Sequence, residues 1–238
     1  AWRPQPRDSF YLKASSGFRQ GGLAQTVSGI AITDGDELRS IEFGWQHVAQ
    51  GVMLEANVHH SQWRDIQSDV LLGNGLVATR NIGNADLDGI DLRAEISPAR
   101  GWSIRGGLYL LSASRDTVER LDGDAPLPLS APVKGRFEIS KEVRLGGWHG
   151  TVETDFDYIG TRDFFLSSLS SARLPAQSKL GASIRLQHDR MTVLLRGTNL
   201  LDNRQPNFAF GNPLTAATQV QLSALQPRFI QASLAINF

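Results

Sequence analysis

Histidine and aspartate are the side chains of this chain best suited to chemistry. His59 and His60 stand side by side, and two Asp-Gly-Asp triplets occupy positions 34–36 and 122–124. A histidine pair suggests a metal or haem site, and an acidic triplet suggests calcium. Geometry works against both. On a strand, adjacent residues point to opposite faces, so one ion cannot easily take both rings. The triplets lack the further oxygen ligands of a full calcium site, and Asp with Gly is ordinary turn chemistry. Phe164, Phe165, Phe208 and Phe210 fall in long loops, where aromatics could grip an aromatic ligand or anchor a rim. There is no cysteine, which removes disulfides and thiolate metal sites. No catalytic residue, metal site or cofactor is assigned.

The elements around these residues are more informative. The last eleven, RFIQASLAINF, set Ile230, Ala232, Leu234, Ile236 and Phe238 on one face of an extended strand and Gln231, Ser233, Ala235 and Asn237 on the other. The same two-faced pattern recurs along the chain. Ile90, Leu92, Ala94 and Ile96 oppose Asp91, Arg93 and Glu95, and Val152, Phe156 and Tyr158 oppose Glu153, Asp155 and Asp157. About ten antiparallel strands follow, joined alternately by tight turns and long loops. No period of 3.6 persists, and no repeated motif marks a propeller or solenoid.

Net charge is zero, with 24 basic and 24 acidic residues, so nothing general favours nucleic acid. No run of 18 apolar residues is present, hence no transmembrane helix. A membrane β-barrel remains open, because only alternate residues face lipid. Tryptophan placement favours it. Trp45, Trp102 and Trp148 sit beside tight turns on the apolar face, Trp2 precedes the first strand, and Trp63 lies at the long-loop end. Indole prefers the boundary of hydrocarbon and water, so this reads as an aromatic girdle. Lys141 interrupts an apolar face. At the midplane it would cost about 2–4 kcal/mol, so it either snorkels to the nearby rim or sits at a bulge. The fold class read from this pattern is all-β, an antiparallel transmembrane barrel with short turns at one end and long loops at the other.

The ordered segments YLKASSGFRQGGL, ELRSIEFGWQHV, SQWRDIQ, NIGNADLDGIDLRAEI, RGTNLLDNRQP and PRFIQASLAINF resemble the C-terminal part of TonB-dependent outer-membrane receptors. One departure is AITDGDE at 31–37, where an Asn-Pro-x-Leu stretch is usual; this speaks against a haem-uptake subgroup. The resemblance implies a 22-stranded barrel with short periplasmic turns and extracellular loops. Residues 1–238 would be a barrel domain of about ten C-terminal strands, with the plug domain elsewhere. It also implies a non-enzymatic role in the Gram-negative outer membrane: uptake of a scarce nutrient, a ferric siderophore above all, energised by TonB. Expected partners are outer-membrane lipid, the plug and remaining strands, the TonB complex and the barrel-assembly machinery, with no nucleic acid. The strand 228–238 resembles the signal that this machinery reads. The charges Asp91, Arg93, Glu95, Glu153, Asp155 and Asp157 would face the lumen. Ligand-binding residues are not identifiable. The alternative is a self-contained ten-stranded barrel, either a protease or a passive pore or adhesin. A protease would need an Asp and a His meeting at the loop rim; His188 lies at a tight turn instead.

Overall fold

A computed structural model describes residues 1–26, 28–71, 77–116, 127, 130–167, 170–210 and 221–237. Its strands in chain order are β1 (Trp2–Gln5), β2 (Asp8–Arg19), β3 (Gly22–Thr26), β4 (Gly29–Thr33), β5 (Asp36–Ala49), β6 (Val52–Arg64), β7 (Gln67–Leu71), β8 (Val77–Asn81), β9 (Asn84–Ile96) and β10 (Trp102–Asp116). They continue with β11 (Val133–Leu145), β12 (Trp148–Ile159), β13 (Arg162–Ser167), β14 (Ser170–Leu174), β15 (Gln177–His188), β16 (Met191–Thr198), β17 (Pro206–Phe210), β18 (Gln221–Ala224) and β19 (Phe229–Ile236).

Eleven strands form one sheet in the order β1-β2-β5-β6-β9-β10-β11-β12-β15-β16-β19. Every pairing is antiparallel. The remaining strands pair as four hairpins, β3–β4, β7–β8, β13–β14 and β17–β18, each built into a long connection at one end of the sheet. Tight turns close the other end. In the turn from β11 to β12, Gly146 and Gly147 both have positive φ, 51° and 88°, which a two-residue hairpin turn of this twist demands. The turns are also stitched laterally: Ser97 N–H donates to Gly51 C=O and Glu142 N–H to Gly101 C=O.

Among the described residues the sheet has eleven strands, against the about ten expected from the sequence, and the extra one is β1. Its prolines, Pro4 beside Gln5 and Pro6 just beyond, remove N–H donors and disguise it as a lead-in. At the sheet's edge only one side of the backbone needs partners, so proline is tolerated. The segments VLL and LVAT, read as strand extensions, lie in or near β7 and β8.

Register fixes the two faces. One cross-strand row runs Leu12, Phe43, Val58, Ile90, Leu110 and Val133. The adjacent face carries Glu55, Arg93, Gly107, Arg136, Asp157 and Lys179 in one row. Among the described residues, the buried apolar side chains are Ile66, Ala78, Ala85, Leu127, Ala131 and Leu174, all at the loop end. The apolar face of the sheet itself is bare. Phe43, Phe137 and Leu195 are each 47 % exposed, and Ile230 is 65 % exposed. A soluble sandwich would cover such a face with a second layer. Hydrocarbon is the solvent that suits it.

Lys141 shows how strictly the pattern holds. The pairings Trp102↔Lys141 and Lys141↔Val152 belong to unbroken ladders, so no bulge turns it inward. Its Nζ instead reaches the turn, donating to Arg100 C=O at 3.0 Å and lying 4.9 Å from the Trp102 ring centroid. This is a snorkelling lysine held by a cation–π contact.

On the charged face, space is made by glycine. A Cβ on Gly44 would stand 2.1 Å from the Tyr11 ring, which lies across it toward Glu42 and Asn57. Gly44→Ala is expected to evict Tyr11 and destabilise the folded protein by about 1–3 kcal/mol, more than Tyr11→Phe, which removes only the hydroxyl. Urea unfolding of the whole protein checks this; equal losses for the two variants would reject the packing account.

Candidate functional site at the charged face and the loop end

The alternation that builds a strand also builds the charged wall. Asp91, Arg93 and Glu95 on β9 and Glu153, Asp155 and Asp157 on β12 all fall on it. Arg93 Nε lies 3.2 Å from Asp91 Oδ1 and its Nη1 4.0 Å from Glu55 Oε2. Arg105 Nη2 lies 2.9 Å from Glu138 Oε1, while Arg136 is 3.8 Å from Glu138 and 3.9 Å from Asp157. Asp155 leans over Gly181, where a Cβ would meet its Oδ1 at 2.4 Å. The arginines of these pairs are exposed while their carboxylates are partly buried, so water screens one side of each pair and they orient side chains more than they stabilise the sheet.

His59 and His60 part company as alternation requires. His59 covers Gly89 on the charged face and stacks on Tyr109, with ring centroids 6.3 Å apart. His60 lies on the opposite face with Nδ1 2.9 Å from Asp88 Oδ1. Around it, still on that face, Glu37 and Arg39 form a two-pronged pair at 2.8 and 2.9 Å. The apolar belt therefore gives way to a polar one before the loops begin.

Trp45, Trp102 and Trp148 stand at the turn end on the apolar face. Trp45 Nε1 donates to Asp8 Oδ1 at 3.1 Å, and the Trp148 ring lies 5.2 Å from His188. Trp63 behaves differently from its expected place in an outer girdle. It pairs with Leu38 and Ala85 on the charged face, packs on the cluster of Ile66, Ala85 and Leu127, and donates to Asp36. Residue parity carried this signal: Trp63 is in step with Glu55, Asn57 and His59.

The loop end is organised by polar joints. Asp36, 4 % exposed, accepts from both Nε and Nη2 of Arg19, from Trp63 Nε1 and from Gln67 N–H. The triplet at 34–36 is thus a joint whose second carboxylate is already taken. Gln67 Nε2 donates to the carbonyls of Gln20 and Asp34, and Asn81 bridges Asp34 and Asp65. Hairpins β3–β4 and β7–β8 are fastened together by these bonds, with Thr33 Oγ1 donating to Thr79 C=O. The triplet at 122–124 and Phe238 lie outside the described residues, as do the side chains of Phe164, Phe165, Phe208 and Phe210.

A second joint explains the segment RGTNLLDNRQP. Asn199, 6 % exposed, donates to the carbonyls of Asn203 and Gln226 and accepts from Asn203 N–H. Asp202 accepts from Arg228 N–H at 3.1 Å and from Arg204 Nη2 at 3.0 Å. Asn199 and Asp202 both have positive φ, near 50°, a conformation Asn and Asp tolerate better than most. The clamp pins the start of β19 to the end of β16. The Arg204 hydrogen bond, followed by the Arg228 N–H, lowers the Asp202 pKa below its ordinary 3.8.

A twisted antiparallel sheet with one bare apolar face, one charged face and hairpins massed at one end is the wall of a membrane β-barrel. The family model for the TonB dependent receptor-like β-barrel matches residues 1–200, and the chain belongs to that family. Solved structures agree in fold. The ferric yersiniabactin uptake receptor of Yersinia pestis aligns with TM-score 0.81 at 16% identity, over 99% of this chain and 36% of that one. The ferric-catecholate import receptor Fiu of E. coli K12 aligns with TM-score 0.75 at 13% identity, over 100% and 34%. The ferric preacinetobactin receptor of Acinetobacter baumannii aligns with TM-score 0.70 at 15% identity, over 99% and 35%. The chain spans about a third of the length of these relatives. No curated protein matches by sequence.

Asn199→Ala leaves backbone carbonyls of two loop segments without their donor. It is expected to destabilise the folded protein by about 1–3 kcal/mol, read from the denaturant midpoint. Asp202 has a depressed folded pKa, so its contribution is present above the unfolded value and is lost as pH falls through the folded one. Melting of wild type and Asp202→Asn is therefore expected to differ near pH 6 and to converge below pH 4; a gap that widens in acid would reject this assignment.

Proposed function

We propose that this chain forms part of the wall of a Gram-negative outer-membrane receptor that imports a scarce nutrient, with a ferric siderophore as ligand class and TonB as the energy source. The family match over residues 1–200, on a sheet with a charged inner face, carries the reading. Relatives described as ferric yersiniabactin, ferric preacinetobactin and ferric-catecholate receptors support the ligand class. They and the family are receptors and transporters, so the role is transport rather than catalysis.

The sheet order ends at β1 and β19, which do not pair with each other. Lipid cannot satisfy open backbone edges, so further barrel strands would complete the wall and a plug would fill it. Contact with TonB would run through parts outside residues 1–238. The tight turns would face the periplasm, with Trp45, Trp102 and Trp148 as its girdle. The row Ile230, Ala232, Leu234 and Ile236 on β19, together with Phe238, would serve the barrel-assembly machinery as an insertion signal. The fastened hairpins at the loop end would capture ligand, and the charged wall would line its passage.

Deletion of the gene in its host, followed by radiolabelled iron uptake from a panel of ferric siderophores, tests this. Uptake of one ferric complex should vanish, and should vanish equally when TonB is disrupted. Unchanged uptake of every complex, with reduced permeability to small solutes, would point to a passive pore and overturn the reading.

A further inference from the structure

The inner row Glu55, Arg93, Gly107, Arg136, Asp157 and Lys179 crosses six neighbouring strands without a break in register. Its charges alternate in sign, as cross-strand pairs favour, everywhere but at the centre. There two arginines flank a glycine. Gly107 occupies the position where the alternation calls for a carboxylate.

The surroundings are rich in donors suited to an anion. Arg105 and Tyr109 lie two residues to either side of Gly107 on β10, and so share its face. The four side chains bordering the vacant position are three guanidinium groups and a phenol, all hydrogen-bond donors. The nearby carboxylates stand diagonally, at Asp91, Glu95 and Glu138; Asp91 pairs with Arg93, and Glu138 with Arg105 at 2.9 Å. Among the described residues, the ion-pair contacts of Arg136 are 3.8 and 3.9 Å long, beyond hydrogen-bonding range, and its side chain is 65 % exposed. The space is real. A Cβ on Gly107 would meet nothing closer than Leu92 C=O at 3.9 Å. A cavity of about 420 Å³ opens over it, lined also by Lys134 and Lys179 and, at its sides, by Asp91 and Asp157.

We propose that this notch is an oxyanion site, completed in trans by a carboxylate or phosphate-type group held between Arg93 and Arg136. Paired planar guanidinium groups suit such oxygens, which they bind in two-pronged fashion. The inference rests on the charged face being the lumen wall of the proposed receptor. The anion has two sources with the same chemistry: a free or ligand-borne oxyanion in the lumen, or an acidic side chain of the segment that fills it.

Crystals of the full-length receptor soaked in sodium selenate test the site, with Arg136→Gln and Gly107→Asp alongside. Gly107→Asp supplies the missing carboxylate in cis. The expected result is anomalous density over Gly107 within hydrogen-bonding reach of Arg93 and Arg136, lost in both variants. A carboxylate from another segment of the receptor seated between the same arginines, with selenate excluded, equally upholds the site and identifies its source. Water or a neutral group between them, with no selenate, overturns it. So does density that persists in Arg136→Gln, which would be an adventitious ion only. Iron uptake by the same receptor is measured separately, so an absent oxyanion with uptake intact rejects this inference and leaves the transport reading standing.

Discussion

Everything in this sheet depends on backbone hydrogen bonding in a place where water cannot help. A strand whose outer face meets hydrocarbon must satisfy each N–H and C=O from its two neighbours. That demand produces the long, unbroken ladders from β2 to β16 and forbids a bulge even at Lys141. It also makes the short β1 and the bare edge of β19 the places where the sheet calls for more strands. Once the ladders are fixed, side-chain direction follows by alternation, and the two faces acquire opposite chemistry.

The charged face is then assembled by register rather than by local sequence. Arg93, Gly107, Arg136 and Asp157 come from four strands and meet only because each hairpin turn sets its pairing. Glycine has a particular use here. At Gly44, Gly89 and Gly181 the vacancy is filled by a neighbour, respectively Tyr11, His59 and Asp155, so the wall closes over it. At Gly107 no neighbour leans in, and the vacancy stays open among donors.

The loop end obeys different physics. Water is available there, yet the buried residues Asp36, Gln67 and Asn199 are tied into dense hydrogen-bond joints. Each joint spans segments some tens of residues apart, as with Asp36 and Gln67 or Asn199 and Gln226. Hairpins that would otherwise wave are held in a fixed relation to the barrel and to one another. Such preorganisation reduces the ordering that the proposed ligand capture would have to impose.

Much of this was legible in the sequence by itself. Alternation along DGIDLRAEI or RFIQASLAINF sorts residues between faces, because the period of a strand is set by covalent geometry. The same period separated His59 from His60 and aligned Asp91, Arg93 and Glu95. The end-of-strand positions of Trp45, Trp102 and Trp148 followed from the turns beside them. What only the tertiary structure decided depends on partners distant in the chain. Proline hid β1 until the sheet edge explained it. Trp63 turned to the charged face because Asp36 and the Ile66 cluster lie there. The Asp-Gly-Asp triplet became a joint because Arg19 and Gln67 arrive from two other strands. The open place at Gly107 exists only in the register of β9, β10 and β11, since no local pattern states which side chains will stand beside a residue that has none.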